Sequence, residues 1–89
     1  MSYFVLYSKP GCHLCEGLAE KLAEIPEVAP DLDIRDITTR PDWHDRYSLE
    51  IPVLCWWDGD RETPLPRLSP RASIAAVRSL VLPYVRNDR

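Results

Sequence analysis

The sequence predicts an α/β fold with the element order β-α-β-α-β-β-α, in which helices cover both faces of a mixed four-stranded sheet. Apolar runs rich in aromatic and β-branched residues at 3–7 and 51–57 are typical of buried strands. Apolar residues spaced three and four apart follow the first run and recur near the end of the chain, which indicates amphipathic helices. A helix between the first two strands makes them parallel, and a tight Asp58-Gly59 turn makes the last two antiparallel.

The first strand and the first helix are predicted from a change in the apolar period. Residues 3–7 form the strand, and Ser8-Lys9-Pro10-Gly11 ends it. From Cys12 onward, four residues lie on one helical face: Leu14, Leu18, Leu22 and Ile25. Lys21 lies off this face, and Pro26 closes the helix.

A second strand and a short second helix are predicted next. Residues 32–35 alternate in polarity, as a half-buried strand does. Thr38 or Thr39 is predicted to cap the following helix, with Pro41 in its first turn and an end near residue 48.

A hairpin is predicted in the second half of the chain. Residues 51–57 form its first strand, and a weaker strand near residues 62–65 pairs back on it. Cys55 shares a strand face with Val53 and Trp57, which predicts a buried, unreactive thiol.

The last helix is predicted from a cap and an apolar stripe. Ser69 has the chemistry of the cap, with Pro70 in the first turn. Three apolar residues form the buried stripe: Ile74, Val77 and Val81. We expect this helix to end near Pro83 and residues 86–89 to fray.

Composition and charge limit the classes of function. With 89 residues, 45% hydrophobic and 28% charged, the chain has the composition of a single folded domain over residues 1–89. A net charge of −3 argues against a general nucleic-acid surface. Residues 61–89 nevertheless hold six arginines against two acids, whereas residues 1–60 hold five Lys or Arg against twelve acids. The basic segment is either an ordinary solvated face or a surface for a small anion or an acidic partner.

No segment resembles an export signal or a bilayer-spanning helix, because the apolar run at 3–7 is too short for either. We therefore expect a cytoplasmic monomer with no membrane and no nucleic-acid partner. In a reducing compartment a lone C-x-x-C is more often catalytic or metal-binding than a structural bridge.

Cys12 and Cys15 lie where a buried strand ends and a helix begins. The first amides of a helix lack internal partners and point toward this position, and the helix dipole adds partial positive charge. We therefore expect the pKa of the Cys12 thiol to fall below the ~8.5 of a free thiol, which makes Cys12 the nucleophile. Cys15 lies one turn later and is directed toward the interior, as a resolving thiol. The i, i+3 spacing lets a disulfide close without unwinding the helix.

Two segments carry a resemblance to a known family. Tyr7-Ser8-Lys9-Pro10-Gly11-Cys12-His13-Leu14-Cys15 resembles the active-site segment of glutaredoxins, in which a lysine precedes a C-P-Y-C motif. Ile51-Pro52-Val53 resembles their T-V-P element. The element order is also similar to the glutaredoxin type of the thioredoxin-like fold. The resemblance implies a cis Pro52 that faces the active site, and a Lys9 that contacts a glutathione carboxylate and helps to stabilise the thiolate. A cis bond would leave the backbone N–H and C=O of Ile51 to pair with an extended substrate.

The sequence departs from the glutaredoxin pattern at His13 and before the last helix. His13 replaces a proline, and it either tunes the neighbouring thiol by hydrogen bonding or is a solvent-exposed residue of little effect. Glutathione-binding members usually carry Gly-Gly and an acidic residue before the last helix, and residues 65–70 contain neither. A helix start at Ser69, with Arg67 or Arg71, remains as a site for a carboxylate. Glutathione and a protein disulfide therefore stay as competing substrates.

The leading hypothesis is a dithiol thiol–disulfide oxidoreductase that reduces protein or glutathione mixed disulfides through Cys12 and Cys15. It has no permanently bound cofactor and no metal site, glutathione is a candidate co-substrate, and the sequence does not identify the reductant. A second hypothesis is a metal or iron–sulfur binding module. One C-x-x-C supplies two ligands, however, and a fully coordinated protein site usually needs about four. A third hypothesis is a redox-silent adaptor that uses the fold as a partner-binding surface.

Overall fold

The computed structural model describes residues 2–87, and its elements follow the predicted order. The strands are β1 (Tyr3–Ser8), β2 (Leu32–Asp36), β3 (Val53–Trp57) and β4 (Glu62–Pro64). The helices are α1 (His13–Ala23), α2 (Pro41–Tyr47) and α3 (Ile74–Asn87), with short 3-10 turns at Ala29–Asp31 and Ile37–Thr39. None of the helices in the described part of the chain has the length and hydropathy that crossing a membrane requires.

The four strands form one mixed sheet in the order β2-β1-β3-β4. β1 is parallel to β2, with Leu6 opposite Ile34. It is antiparallel to β3 on its other side, with Leu6 opposite Leu54. β3 and β4 form the antiparallel hairpin, in which Cys55 lies opposite Pro64. The predicted α/β class and mixed sheet are confirmed, and the strand that leads to Cys12 is central in the sheet.

Each face of the sheet has its own core, because alternate residues of a strand point to opposite faces. α1 and α3 cover the larger core, whose buried members are Phe4, Leu6, Leu22, Ile25, Val28, Leu54, Leu65, Val77 and Val81. α2 covers the smaller core, whose buried members are Val5, Tyr7, Ile37, Tyr47 and Cys55. Val53 and Trp57 pack against the smaller core with Cys55, as their shared strand face predicts.

A polar network anchors the end of β1. The Tyr7 hydroxyl donates to the carboxylate of Glu62 on β4 at 2.9 Å, and Arg35 on β2 donates to the Tyr7 oxygen at 3.1 Å. Nη1 of Arg35 also lies 3.6 Å from the Glu62 carboxylate. Burial and the charge of Glu62 raise the pKa of the Tyr7 phenol, so the phenol stays protonated and continues to donate. Side chains from three strands thus hold the strand end that leads to Cys12.

α2 begins later than the predicted threonine caps. Arg40 is its N-cap residue and makes no side-chain cap, while Pro41 occupies the first turn as predicted. Thr38 and Thr39 belong instead to the turn after β2, where Asp36 accepts hydrogen bonds from the N–H and the hydroxyl of Thr38. The predicted threonine cap is wrong because Asp36, at the end of β2, accepts hydrogen bonds from Thr38 and so forms a separate turn before the helix.

α3 also begins later than predicted. The hydroxyl of Ser73 accepts a hydrogen bond from the N–H of Ala76 at 3.1 Å, so Ser73 rather than Ser69 caps this helix. The hydroxyl of Ser69 accepts the N–H of Arg71, and its carbonyl accepts the N–H of Ala72. The predicted cap at Ser69 is wrong because both of its acceptors close a separate turn ahead of the helix.

α3 continues through Pro83, where the sequence predicted its end, to Asn87. A proline inside a helix costs one backbone hydrogen bond. The turn after it is held by Tyr84, whose ring packs against the larger core and so offsets that loss. Arg86 is helical rather than frayed, and residues 88–89 lie outside the described residues.

The packing of α1 on the sheet gives a stability prediction. Leu22 is fully buried in the larger core, whereas Leu49 is 98% exposed. Leu22→Ala should lower the free energy of unfolding by about 2–5 kcal/mol, because it leaves a cavity under α1. Leu49→Ala should change it by less than about 0.5 kcal/mol. Urea unfolding of the reduced proteins measures both values, and equal losses would contradict this account of the core.

Candidate active site at the start of helix α1

A tight turn carries the chain from the end of β1 to the start of α1. The N–H of Cys12 donates to the carbonyl of Lys9 at 3.3 Å, which closes a four-residue turn. Pro10 and Gly11 hold the two central positions, and Gly11 has a φ of +82°. A type II turn requires positive φ at its second central position, where glycine meets no steric penalty, and it favours proline at the first. These residues therefore suit the turn that places Cys12.

Cys12 is the N-cap residue of α1 and has the extended backbone of a cap. Its Sγ accepts a hydrogen bond from the N–H of Cys15 at 3.2 Å. This is the bond that an oxygen of serine or aspartate usually accepts at a helix N-terminus. The sulfur thus lies where unpaired amides and the helix dipole favour negative charge, as the sequence predicted.

The two cysteines of the motif are joined in a disulfide, with their Cα atoms 5.3 Å apart. α1 is helical from His13 onward, so the bridge closes without unwinding the helix, as the spacing predicts. Cys15 is 2% exposed, whereas Cys12 is partly exposed. Cys12 is therefore the more accessible of the two cysteines.

Lys9 and His13, the two predicted tuning residues next to the cysteines, are both exposed. The side chain of His13 is 93% exposed, and its Nδ1 lies 3.5 Å from the carboxylate of Glu16 rather than near the sulfurs. Lys9 contributes its backbone carbonyl to the turn that holds Cys12. The roles predicted for the two side chains stay predictions.

The Ile51–Pro52 peptide bond is cis, as the resemblance implies. The N–H of Ile51, however, donates to the carbonyl of Tyr47 at 3.0 Å. The expectation that this N–H is free for a substrate is wrong, because the chain leaves α2 through a turn that continues the helical hydrogen-bond pattern. Within residues 2–87 the carbonyl of Ile51 accepts no hydrogen bond. Of the two backbone groups of Ile51, only the carbonyl therefore has no partner in this part of the chain.

An apolar groove of about 230 Å³ is lined by Leu14, inside the cysteine motif, and by Pro52. α1, the cis-proline segment, the loop between β4 and α3, and α3 itself form its walls. Its principal apolar side chains are Leu14, Leu18, Pro52, Pro66, Leu68 and Leu80. The groove brings the cysteine motif and the cis-proline together at one surface, which the sequence had linked only through the resemblance.

Two cations tie the loop between β4 and α3 to this surface. The ammonium group of Lys21 on α1 donates to the carbonyl of Ala72 at 2.6 Å. Arg67 in the loop donates to the carbonyl of Glu50, next to the cis-proline segment. Sequence reasoning missed both contacts. The position of Lys21 off the apolar stripe signals a polar residue, but no local pattern signals a partner 51 residues away.

The carboxylate site predicted at Ser69 is wrong. α3 starts at Ile74, so Ser69 does not lie at a helix N-terminus. Arg67 is engaged with the Glu50 carbonyl, and Arg71 is exposed on the surface. A role for Arg71 in binding an anion stays a prediction.

Cys55 is fully buried in the smaller core, on the side of the sheet that faces away from the groove. Burial, helped by the charge of Glu62, raises the pKa of its thiol to about 11. Cys55 therefore stays protonated at neutral pH and is a poor nucleophile, in agreement with the buried, unreactive thiol expected from its strand face.

The metal-binding hypothesis depends on further ligands near the dithiol. Among residues 2–87, no group of three or more His, Cys, Asp or Glu side chains is placed to hold a metal ion. The two cysteines of the motif are bonded to each other. This part of the chain therefore offers no observation in favour of a metal centre.

The fold and the site together define a class of protein, which is a thioredoxin-like domain with a close cysteine pair at the start of its first helix and a cis-proline that lines the same groove as Leu14 of the cysteine motif. Residues 4–82 match the family model described as glutaredoxin-like domain (DUF836). The match covers most of the chain, and the chain belongs to this glutaredoxin-like family. A comparison with curated proteins found no match.

The contrast between the cysteines gives a prediction for thiol chemistry. In the reduced protein at pH 7.5, iodoacetamide should modify Cys12 first and leave Cys55 unmodified, because the pKa of about 11 and full burial protect Cys55. Mass spectrometry of timed samples locates the label. The same protein in concentrated urea is the control, and there Cys55 should react readily. Labelling of Cys55 at the rate of Cys12 in the folded protein would contradict the prediction.

Proposed function

We propose that this chain is a dithiol thiol–disulfide oxidoreductase that reduces protein or glutathione mixed disulfides. The observation that carries the proposal is the hydrogen bond from the N–H of Cys15 to the sulfur of Cys12 at the N-terminus of α1. A thiolate in that position is stabilised by the helix terminus, and a stabilised, exposed thiolate is what nucleophilic attack on a disulfide requires. The burial of Cys15 supports its role as the second thiol.

The reaction proceeds by two exchanges. The thiolate of Cys12 attacks one sulfur of the substrate disulfide, so that bond breaks, a mixed disulfide forms and a thiolate leaves to take a proton from water. The thiol of Cys15 loses its proton and attacks Sγ of Cys12, which expels the second substrate thiolate and forms the Cys12–Cys15 bond. Two electrons pass from the dithiol to the substrate disulfide. Glutathione, as an external thiol, or a system of the thioredoxin-reductase type then reduces the Cys12–Cys15 disulfide back to the dithiol.

The residues around the dithiol orient the substrate in this proposal. The carbonyl of Ile51 accepts a backbone N–H of the substrate beside Cys12, and Pro52 supports the substrate chain. Lys9 and His13 act at longer range, by attracting a substrate carboxylate and by adjusting the thiolate. No resident cofactor is part of the proposal, and a reducing compartment such as the cytoplasm suits it.

Single substitutions of the cysteines test the proposal. Cys12→Ser should abolish reduction of bis(hydroxyethyl) disulfide, because the attacking thiolate is lost. Cys15→Ser should still carry out the first exchange and accumulate a mixed disulfide at Cys12. Mass spectrometry would show this as an increase in protein mass equal to one half of the substrate disulfide. Cys55→Ala is the matched control, and it should retain activity within about twofold, because its thiol does not reach solvent.

The same variants distinguish the competing hypotheses. Unchanged disulfide reduction by Cys12→Ser would rule out the catalytic proposal. A partner that is retained by Cys12→Ser and is indifferent to the redox state, together with an inactive wild-type protein, would favour the adaptor. Metal bound stoichiometrically by the reduced wild-type protein, and lost in Cys12→Ser, would favour the metal-binding module.

A further inference from the structure

We propose that the apolar groove binds an apolar side chain of the protein whose disulfide Cys12 attacks, which makes an extended protein segment a better substrate than glutathione. This inference rests on the proposed function and names the substrate class of the same site. Leu14 and Pro52, which belong to the two segments that form the site, both line the groove. Leu14 lies two residues after Cys12 in the chain, so a substrate bonded to the Cys12 sulfur is held near this lining residue.

Side chains of the larger core form part of the groove lining. Leu65 and Val77 of that core lie at its base, and the partly buried Leu68 and Leu80 line it. Leu14 is 50% exposed at its upper end, although it lies in the first turn of a helix that packs on the sheet. Exposed apolar surface of this kind gains free energy when an apolar group covers it.

The two cationic groups of the groove, Lys21 and Arg67, are engaged with the protein itself. Lys21 donates to the carbonyls of Pro70 and Ala72, and Arg67 donates to the carbonyl of Glu50. These contacts hold the walls together instead of presenting charge to a ligand. The groove therefore selects for apolar surface rather than for carboxylates.

The volume of the groove suits a single side chain. An apolar cavity of about 150 Å³ holds a benzene molecule, so a groove of about 230 Å³ has room for a side chain of leucine or phenylalanine size. Besides Pro52, three prolines lie among its lining residues, on the wall that runs from β4 to α3: Pro64, Pro66 and Pro70. Prolines restrict the backbone of this wall, so little ordering is needed when a ligand binds.

The chemistry of the exchange identifies the occupant. In the mixed disulfide the substrate cysteine is bonded to Cys12, and neighbouring residues of an extended chain follow at about 3.3–3.6 Å each. A residue within two positions of the substrate cysteine therefore comes within reach of Leu14 and Pro52. The open carbonyl of Ile51 accepts a backbone N–H from such a chain. Glutathione carries no large apolar side chain to fill the groove.

Peptides with one changed residue test this inference. Each peptide carries a single cysteine in a mixed disulfide with thionitrobenzoate, and leucine replaces serine at one position within two residues of that cysteine. Reduced protein attacks the peptide sulfur and expels the coloured thionitrobenzoate anion, and Cys15 then expels the peptide thiol. At one or more positions leucine should raise kcat/KM about tenfold over the all-serine peptide. Glutathione in the same mixed disulfide should react no faster than the all-serine peptide.

Three variants locate the effect. Leu68→Asp and Pro66→Asp place a charge in the groove and should reduce the leucine preference to less than about twofold. Pro66 is exposed, so this second variant keeps the test valid if the Leu68 variant is poorly folded. Leu49→Asp is the matched control, because Leu49 is 98% exposed and does not line the groove, and it should keep the full preference. The preference is the ratio of the two kcat/KM values within each variant, and Leu49→Asp should in addition reduce bis(hydroxyethyl) disulfide at the wild-type rate.

The outcomes separate the inference from the function on which it rests. Equal kcat/KM for leucine and serine peptides, or a glutathione disulfide that reacts faster than every peptide, overturns the inference while reduction of bis(hydroxyethyl) disulfide upholds the proposed function. A wild-type protein that reduces none of these disulfides overturns both. The inference is also overturned if Leu49→Asp loses the preference for leucine while the two groove variants retain it.

Discussion

The hydrogen bond between the N–H of Cys15 and the sulfur of Cys12 is the interaction on which the site depends. It exists because a central strand ends at Ser8, a proline–glycine turn follows, and a helix starts within a few residues. Such N-caps contribute about 0.5–2 kcal/mol to a helix. A thiolate accepts such a bond more strongly than a thiol does, so the interaction lowers the pKa of the Cys12 thiol.

The three cysteines show how burial divides the chemistry of one residue type. Cys12 is partly exposed at a helix N-terminus, where a thiolate is favoured. Cys15 is 2% exposed one turn later, within bonding distance of Cys12 but out of reach of a large substrate. Cys55 is fully buried in the smaller core, where its pKa rises to about 11. In the proposed function, these three environments suit an attacking, a resolving and an inert thiol.

Short-range patterns explain the parts of the fold that the sequence predicts. The apolar runs of β1 and β3, the Lys9-Pro10-Gly11 turn and the stripe of α1 depend on neighbouring residues. The structure contains these elements, although α1 ends at Ala23, before Ile25, and β3 begins at Val53. The cis bond at Pro52 followed from the family resemblance. The start of α3 was not predictable, because Ser69 and Ser73 are both suitable cap residues and only the structure shows that Ser69 belongs to a separate turn.

The remaining contacts come from packing between distant segments. Lys21 reaches Ala72 across 51 residues, and the N–H of Ile51 is taken by Tyr47. No periodicity in the sequence carries this information, and the groove that such contacts enclose was missed for the same reason.

The most direct test of the account is the pKa of Cys12 in the reduced protein. The rate of Cys12 alkylation by iodoacetamide, followed by mass spectrometry across pH, gives this pKa as the midpoint of the rise. The account predicts a midpoint below the ~8.5 of a free thiol, because the helix terminus stabilises the thiolate. A midpoint at or above that value would contradict it, since the helix terminus would then provide no stabilised nucleophile.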